Sequence, residues 1–288
     1  MLRNGFAKLQ SESHISRHSV EVVSTERQKV NENHVVLSIF VIATKNYLSF
    51  AETLIRSATE HVREDTSLKF LLLTDDVERA AHLVRTSSKC EILMKPIPSL
   101  GWPEATLMRY ELMLDAWQLV GHDLVAYMDA DMEFVGPFSA SDLLEPLTST
   151  VDMVLVSHPG YFNRNCVYRF LLKTWLGPWE HRRHSMAYVP RRLRKIYVCG
   201  GMFWGRVSGF NQLLQQLAHS VRVDLDRGIH ARHNDESHLN RWFTEHSEKC
   251  NVVSPEWAFD FTYRQLNGIT PIVVAVRKPK DFRRILSE

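Results

Sequence analysis

The segment Tyr127–Phe134 (YMDADMEF) ends an apolar run with two aspartates, Asp129 and Asp131. On a strand their spacing of two turns both side chains to one face. Such a carboxylate pair is a hard-oxygen site for Mn²⁺ or Mg²⁺, with substrate phosphates completing the coordination. A second group, His233–Asn240 (HNDESHLN), opens an amphipathic helix continued by Trp242 and Phe243. Free N–H groups at that helix start favour Asp235 and Glu236, which capping alone would also explain. His233 and His238 are five apart, so they do not share a face as a zinc-protease pair does. In Cys199–Gly205 (CGGMFWG) two adjacent glycines indicate close approach of a ligand or another backbone. Neither spacing of a phosphate-cradling glycine loop is present. Lys278, Lys280, Arg283 and Arg284 form a basic tail, either a solvated face or a cationic closure over a diphosphate.

The elements that must hold these residues alternate. Val35–Ala43 is apolar on both faces, as a strand covered by helices on two sides must be. From Leu48 to Val62 the apolar positions repeat at helical spacing, and Lys69–Thr74 returns to a strand-like run. A helix over Asp76–Arg85, a strand over Cys90–Met94, a helix over Glu104–Val120 behind Pro103, and a strand over Leu124–Met128 follow. Val151–Ser157, a basic, aromatic-rich segment from Tyr161 to Tyr197, Val198–Val207, and helices from Ser208 and about Asp235 complete the pattern. The expected fold is α/β, a mainly parallel sheet flanked by helices, with ligands outside the carboxyl ends of the strands. Residues 1–33 are polar and without period, and are expected to be a loose arm.

Composition narrows the function. The 288 residues are 44% hydrophobic and 24% charged, enough for a full core. Thirty-five basic against 33 acidic residues leave a net charge of +2, which excludes nucleic acid as the main partner. Neither a membrane-spanning run nor a secretory signal is found, so a cytoplasmic protein is expected. The four cysteines are widely spaced and are read as thiols. A phosphatase that places a DxD pair after a strand wants a small hydroxyl residue soon afterwards, whereas Met132, Glu133 and Phe134 follow here.

Taken together, YMDADMEF, His158-Pro159-Gly160, CGGMFWG, HNDESHLN and Ser254-Pro255-Glu256 resemble glycosyltransferase family six, from about Ile39 to Arg284. That family contains the histo-blood-group A and B transferases and the α-1,3-galactosyltransferases. The resemblance implies the GT-A fold, as a single catalytic domain over residues 34–288. It implies transfer of galactose or N-acetylgalactosamine from a UDP-sugar to a galactose 3-hydroxyl, retaining the α configuration. Ile42, Ala43, Thr44 and Tyr47 then look like the uridine contacts, with Trp102 and Arg109 lining the donor pocket. Asp129, Ala130 and Asp131 match the metal and diphosphate site, with Asp129 and Asp131 the metal ligands. Cys199, Gly200, Gly201 and Asp235 fall on the donor sugar. Glu236 resembles the catalytic carboxylate facing the anomeric carbon, and His158, His233, Glu236 and Asp260 the acceptor site. Lys278 and Arg284 match cations that grip the pyrophosphate.

The departures from the family pattern carry their own expectations. Many bacterial members have asparagines where this chain keeps both aspartates, which implies dependence on Mn²⁺ or Mg²⁺. Without the anchor and stem of the animal enzymes, the chain resembles a microbial or phage member. Gly201 matches the position where the A enzyme has glycine and the B enzyme alanine, so UDP-GalNAc is expected over UDP-galactose. Expected partners are the UDP-sugar donor and a galactose-terminated glycan, and peripheral membrane contact is compatible with them. A non-catalytic carbohydrate or nucleotide-sugar binder on the same scaffold is the alternative.

Overall fold

The computed structural model describes residues 34–86, 90–121, 123–162 and 166–278. The arm expected over 1–33 and the tail cations Lys280, Arg283 and Arg284 lie outside them.

Val35–Ala43 (β1) is the spine of a seven-stranded sheet. Its β-branched and apolar side chains are buried on both faces, with Leu37, Ile39, Val41 and Ala43 against helix α1 (Leu48–His61). Phe40, on the opposite face, packs with Tyr110, Met113, Phe210 and Leu213. Strands β2 (Thr66–Thr74) and β4 (Leu124–Met128) pair parallel to β1, and β3 (Glu91–Pro96) parallel to β2. Helix α2 (Val77–Thr86) connects β2 to β3. On the far side lie β6 (Met153–Ser157) and β8 (Cys250–Val253), parallel to each other. Between β4 and β6 runs β7 (Val198–Arg206), antiparallel to both. The sheet is therefore mostly parallel with one reversed strand. That reversal brings the first residues of β7 to the edge where β1 and β4 end, with Met202 beside Met128.

The pattern that suggested one helix over Glu104–Val120 is divided into α3 (Glu104–Leu107), α4 (Arg109–Asp115) and a short 3₁₀ turn at Trp117–Leu119. Leu107, Tyr110, Met113 and Ala116 stay buried along one side, so a bent axis keeps the periodicity of a straight one. A small second sheet pairs β5 (Met132–Phe134) with β9 (Val273–Ala275), and Val276 N–H donates to Asp131 O at 2.8 Å. Ser57, buried in α1, accepts the Phe134 N–H at 3.1 Å and fixes β5 beneath that helix. The segment after Phe134 holds α5 (Ala140–Leu144), and α6 (Cys166–Leu172) opens the basic, aromatic-rich stretch.

Two long helices, α7 (Val207–Asp226) and α8 (Asn234–Glu245), close the other face. Asn240 ties α8 to the sheet: its Oδ1 accepts Val198 N–H at 2.8 Å and its Nδ2 donates to Val198 O at 2.9 Å. A second tie is the buried carboxylate of Glu180. It accepts the main-chain N–H groups of His181, Arg182 and Arg232 and two bonds from the Arg182 guanidinium, all at 2.8–3.0 Å. Arg232 immediately precedes the first turn of α8, so Glu180 fixes where that helix begins. Burial opposes the charge on Glu180, but the hydrogen bonds from Arg182 and Arg232 outweigh it and hold the carboxyl at about 2. Its stabilising contribution is complete above the unfolded value near 4.5 and is lost as the pH falls toward about 2. Replacing Glu180 by Gln should lower stability at neutral pH by up to about 3 kcal/mol. Urea titrations should show the gap between wild type and variant closing below pH 4.5.

Candidate active site

A cavity of about 420 Å³ opens outside the carboxyl ends of β1 and β4, where open α/β sheets bind ligands. Ile42, Thr44 and Tyr47 line it from the end of β1, and Ala130 lines it from the end of β4. Ala43 does not, because the strand alternates and places it in the core under α1. Trp102, 71% exposed, stands at the cavity wall with Leu100, Gly101, Ala105, Thr106 and Arg109. Of these only Trp102 and Arg109 carried a sequence signal.

Asp129 and Asp131 both line the cavity, for a reason other than strand alternation. Strand β4 stops at Met128, and the two aspartates sit in a turn in which Met132 N–H donates to Asp129 O at 3.2 Å. Tyr127, which the sequence motif contained without a role, donates its hydroxyl to Asp129 Oδ1 at 2.6 Å. Lys278 Nζ lies 2.7 Å from Asp131 Oδ2 and 5.0 Å from the Tyr47 ring centroid. The β5–β9 pairing thus sets the start of the basic tail on the acidic turn.

Arg109 joins the parts. Buried at 5% exposure, it donates from Nη1 to Gly200 O at 2.9 Å, and its guanidinium lies 4.6 Å from the Tyr127 ring centroid. The same group pairs with Asp129 at 3.3 Å and with Asp235 at 3.1 Å. The second pair is a charge contact and not an aligned hydrogen bond, since Arg109 Nε and Asp235 Oδ2 have no hydrogen-bond partner among the described residues. Burial works against the charge on Arg109, but Asp235 and Asp129 keep it well above its ordinary value. Burial also pushes Asp235 up, to about 7, against the pull of Arg109. Asp235, buried in the first turn of α8, turns its carboxylate to the guanidinium.

Glu236, one residue on, accepts Gly200 N–H at Oε2 over 2.8 Å. Burial and the Glu236 charge push the Tyr197 and Tyr161 phenols up. Tyr197 is the centre of an aromatic cluster with His158 at 5.7 Å and His233 at 6.4 Å. Tyr161, Phe162, Trp179 and Tyr197 line a second cavity of about 460 Å³. Asp260 stands in a turn that it closes through Thr262 N–H at 2.8 Å, and Tyr263 of that turn meets His158 at 6.4 Å. His158, His233 and Glu236 are therefore gathered around Tyr197, which the sequence reading passed over, while Asp260 reaches the group through Tyr263.

The acidic turn at the 420 Å³ cavity is accompanied by similarity to known proteins. The family model of glycosyltransferase family 6 matches residues 12–286. The chain belongs to that family. It is 27% identical over 246 residues to the mouse globoside α-1,3-N-acetylgalactosaminyltransferase 1, covering 83% of this chain and 65% of that protein. Rat histo-blood group ABO system transferase 1 is 24% identical over 266 residues, 91% of this chain and 71% of its own length. The O-antigen biosynthesis glycosyltransferase WbnI of Escherichia coli is 25% identical over 209 residues, 72% of this chain and 82% of its own length. The α/β layers described above are consistent with the GT-A type of fold.

For a member of this family a divalent ion is the cofactor to test against the residues present. Among the described residues, no group of three or more His, Cys, Asp or Glu side chains could hold a metal ion by itself. Asp129 and Asp131 fit the other mode, in which a hard cation takes one or two carboxylates and completes its shell with substrate phosphates. Burial and then the Asp129 charge push the Asp131 carboxyl up while Lys278 opposes them, a repulsion that a bound cation relieves.

The paired glycines of β7 serve side chains of the same protein. A Cβ at Gly200 would lie 3.1 Å from Glu236 Cβ, and one at Gly201 would lie 2.9 Å from Asp129 Oδ2 and 2.7 Å from Met132 Cε. A methyl at Gly201 would meet the ends of the Asp129 and Met132 side chains, both of which can shift. Gly201→Ala should turn preference toward UDP-galactose if these side-chain ends give way, or lower kcat/KM for UDP-GalNAc and UDP-galactose alike if the Asp129 carboxylate is displaced. Steady-state UDP release with each donor distinguishes this uniform loss from a change of preference.

Proposed function

We propose that the protein is a retaining glycosyltransferase that moves N-acetylgalactosamine or galactose from a UDP-sugar to a galactose 3-hydroxyl, forming an α-1,3 linkage. The observation that carries this reading is the single frame that holds both carboxylate groups: Arg109 links Asp129, Gly200 and Asp235, and Gly200 holds Glu236. The α-1,3 linkage in the name of the mouse relative supports the regiochemistry. The chain spans about two thirds of the length of that relative, 65%.

In this reading the 420 Å³ cavity takes the nucleotide, with Thr44 and Tyr47 beside the uridine and Trp102 at the wall. Asp129 and Asp131 would hold Mn²⁺ or Mg²⁺, which would supply positive charge against the departing diphosphate. Lys278 is positioned to exchange its contact with Asp131 for one with the diphosphate. Arg284 lies outside the described residues. Glu236 faces the anomeric carbon: as the bond to UDP breaks and the acceptor 3-hydroxyl bonds to that carbon, giving its proton to the departing UDP oxygen, the carboxylate stabilises the positive charge at that carbon. Gly200 N–H fixes the carboxylate, and Tyr197 and His233 form the wall on which the acceptor sits.

The first test is UDP release from UDP-GalNAc, UDP-galactose and UDP-glucose with a galactose-terminated acceptor. EDTA should abolish transfer and Mn²⁺ should restore it, whereas full activity in EDTA would remove the metal from the reading. The second is Glu236→Gln, which should bind UDP-sugar nearly as well as wild type but turn over at least about 100-fold more slowly. Binding by calorimetry beside single-turnover rates checks the split. Near-wild-type turnover with the same α-linked product would leave Glu236 as no more than a helix-start carboxylate.

A further inference from the structure

The segment around α6 is apolar where it faces water. Val167, Phe170 and Leu171 lie on one side of this seven-residue helix, and Val167 and Phe170 are 65% and 61% exposed. Trp175, 73% exposed, continues the surface with Leu176 and Ile196. These positions belong to one patch: the Arg191 guanidinium lies 5.4 Å from the Phe170 ring centroid, and buried Arg194 donates to Lys173 O at 3.1 Å. Single exposed apolar residues are ordinary, but a contiguous group marks an interaction surface.

Charge decides what that surface fits. Lys173, Arg191, Arg192 and Lys195 are all exposed around the patch. Glu180 is the sole acidic residue between Asp152 and Asp224, and it is buried against Arg182. The patch therefore has no acidic counterpart within its own segment. Two copies meeting through this face would bring like charges together, which disfavours a symmetric dimer. Aromatic and aliphatic side chains ringed by Lys and Arg, whose stems lie along apolar surface while their heads seek phosphate, are the pattern of a lipid-interface contact.

We propose that the face formed by α6, residues 173–176 and residues 191–196 docks on an anionic lipid surface. Apolar side chains enter the headgroup boundary, and the flanking cations meet lipid phosphates. α6, with seven residues, lies on such a surface and does not cross it. Lys173, Lys195 and Ile196 also line the 460 Å³ cavity, so docking sets that cavity beside the membrane. The docking stands independently of the transferase reading.

The test is co-sedimentation of the full chain with vesicles of equimolar phosphatidylglycerol and phosphatidylcholine, compared with pure phosphatidylcholine. Binding should require the anionic lipid and weaken with salt. Arg191→Gln and Arg192→Gln should each reduce partitioning about fivefold. Phe170→Ser with Trp175→Ser should reduce it at least about tenfold, with the thermal melt unchanged because both side chains are exposed. UDP release with a soluble acceptor should be the same in all variants, so a chain that binds vesicles without transferring sugar overturns only the transferase reading. Failure to bind anionic vesicles, equal binding to phosphatidylcholine, or variants that bind as wild type would overturn the docking. So would a dimer in sedimentation velocity that Trp175→Ser dissolves, which would make a second copy the occupant.

Discussion

One buried guanidinium constrains the candidate active site. Arg109 lies out of water in contact with the turn after β4, the first residues of β7 and the first turn of α8, three elements far apart in sequence. A planar, permanently charged fork can hold a carboxylate and a carbonyl at once, which lysine cannot do with the same geometry. Burying that charge is costly unless carboxylates surround it. Asp129 and Asp235 therefore have a structural duty besides any chemical one. Tyr110 joins the arrangement by donating its hydroxyl to Asp235 O at 3.2 Å, so α4 holds the start of α8 through two consecutive residues.

The reversed direction of β7 makes this arrangement reachable. If the strand ran parallel to its neighbours, Gly200 and Gly201 would lie at the opposite edge of the sheet from Asp129. Running antiparallel, β7 starts at the carboxyl edge, and Asp129 N–H bonds Gly201 O at 2.8 Å. The missing side chains of the two glycines then let Glu236 and Asp129 approach the strand.

Electrostatic balance runs through the rest of the site. The acidic turn is met by Arg109 from within and Lys278 from the tail, while Glu180 stands alone in a long basic segment and stays ionised through the Arg182 guanidinium and three main-chain donors. The aromatic wall of His158, Tyr161, Tyr197 and His233 has a different character. The Tyr197 hydroxyl is buried beside the Glu236 charge.

Local pattern was sufficient for much of this. Period and residue type placed β1, α1, β4 and α8 to within a few residues, because burial on one or both faces is written into each segment's own spacing. Asp129, Asp131 and Glu236 stand at the segment ends where the pattern put them, the two aspartates after β4 and Glu236 in the first turn of α8. The partners across the fold were not legible in the pattern. Ala43 turning into the core, Asp235 turning to Arg109, the glycines serving Glu236 and Asp129, and Tyr197 at the centre of the aromatic group all follow from how β7 and α8 pack on the sheet. A sequence period specifies which side of an element is buried, but not which distant residue it meets there. That choice depends on strand direction and helix position, which the tertiary structure alone decides.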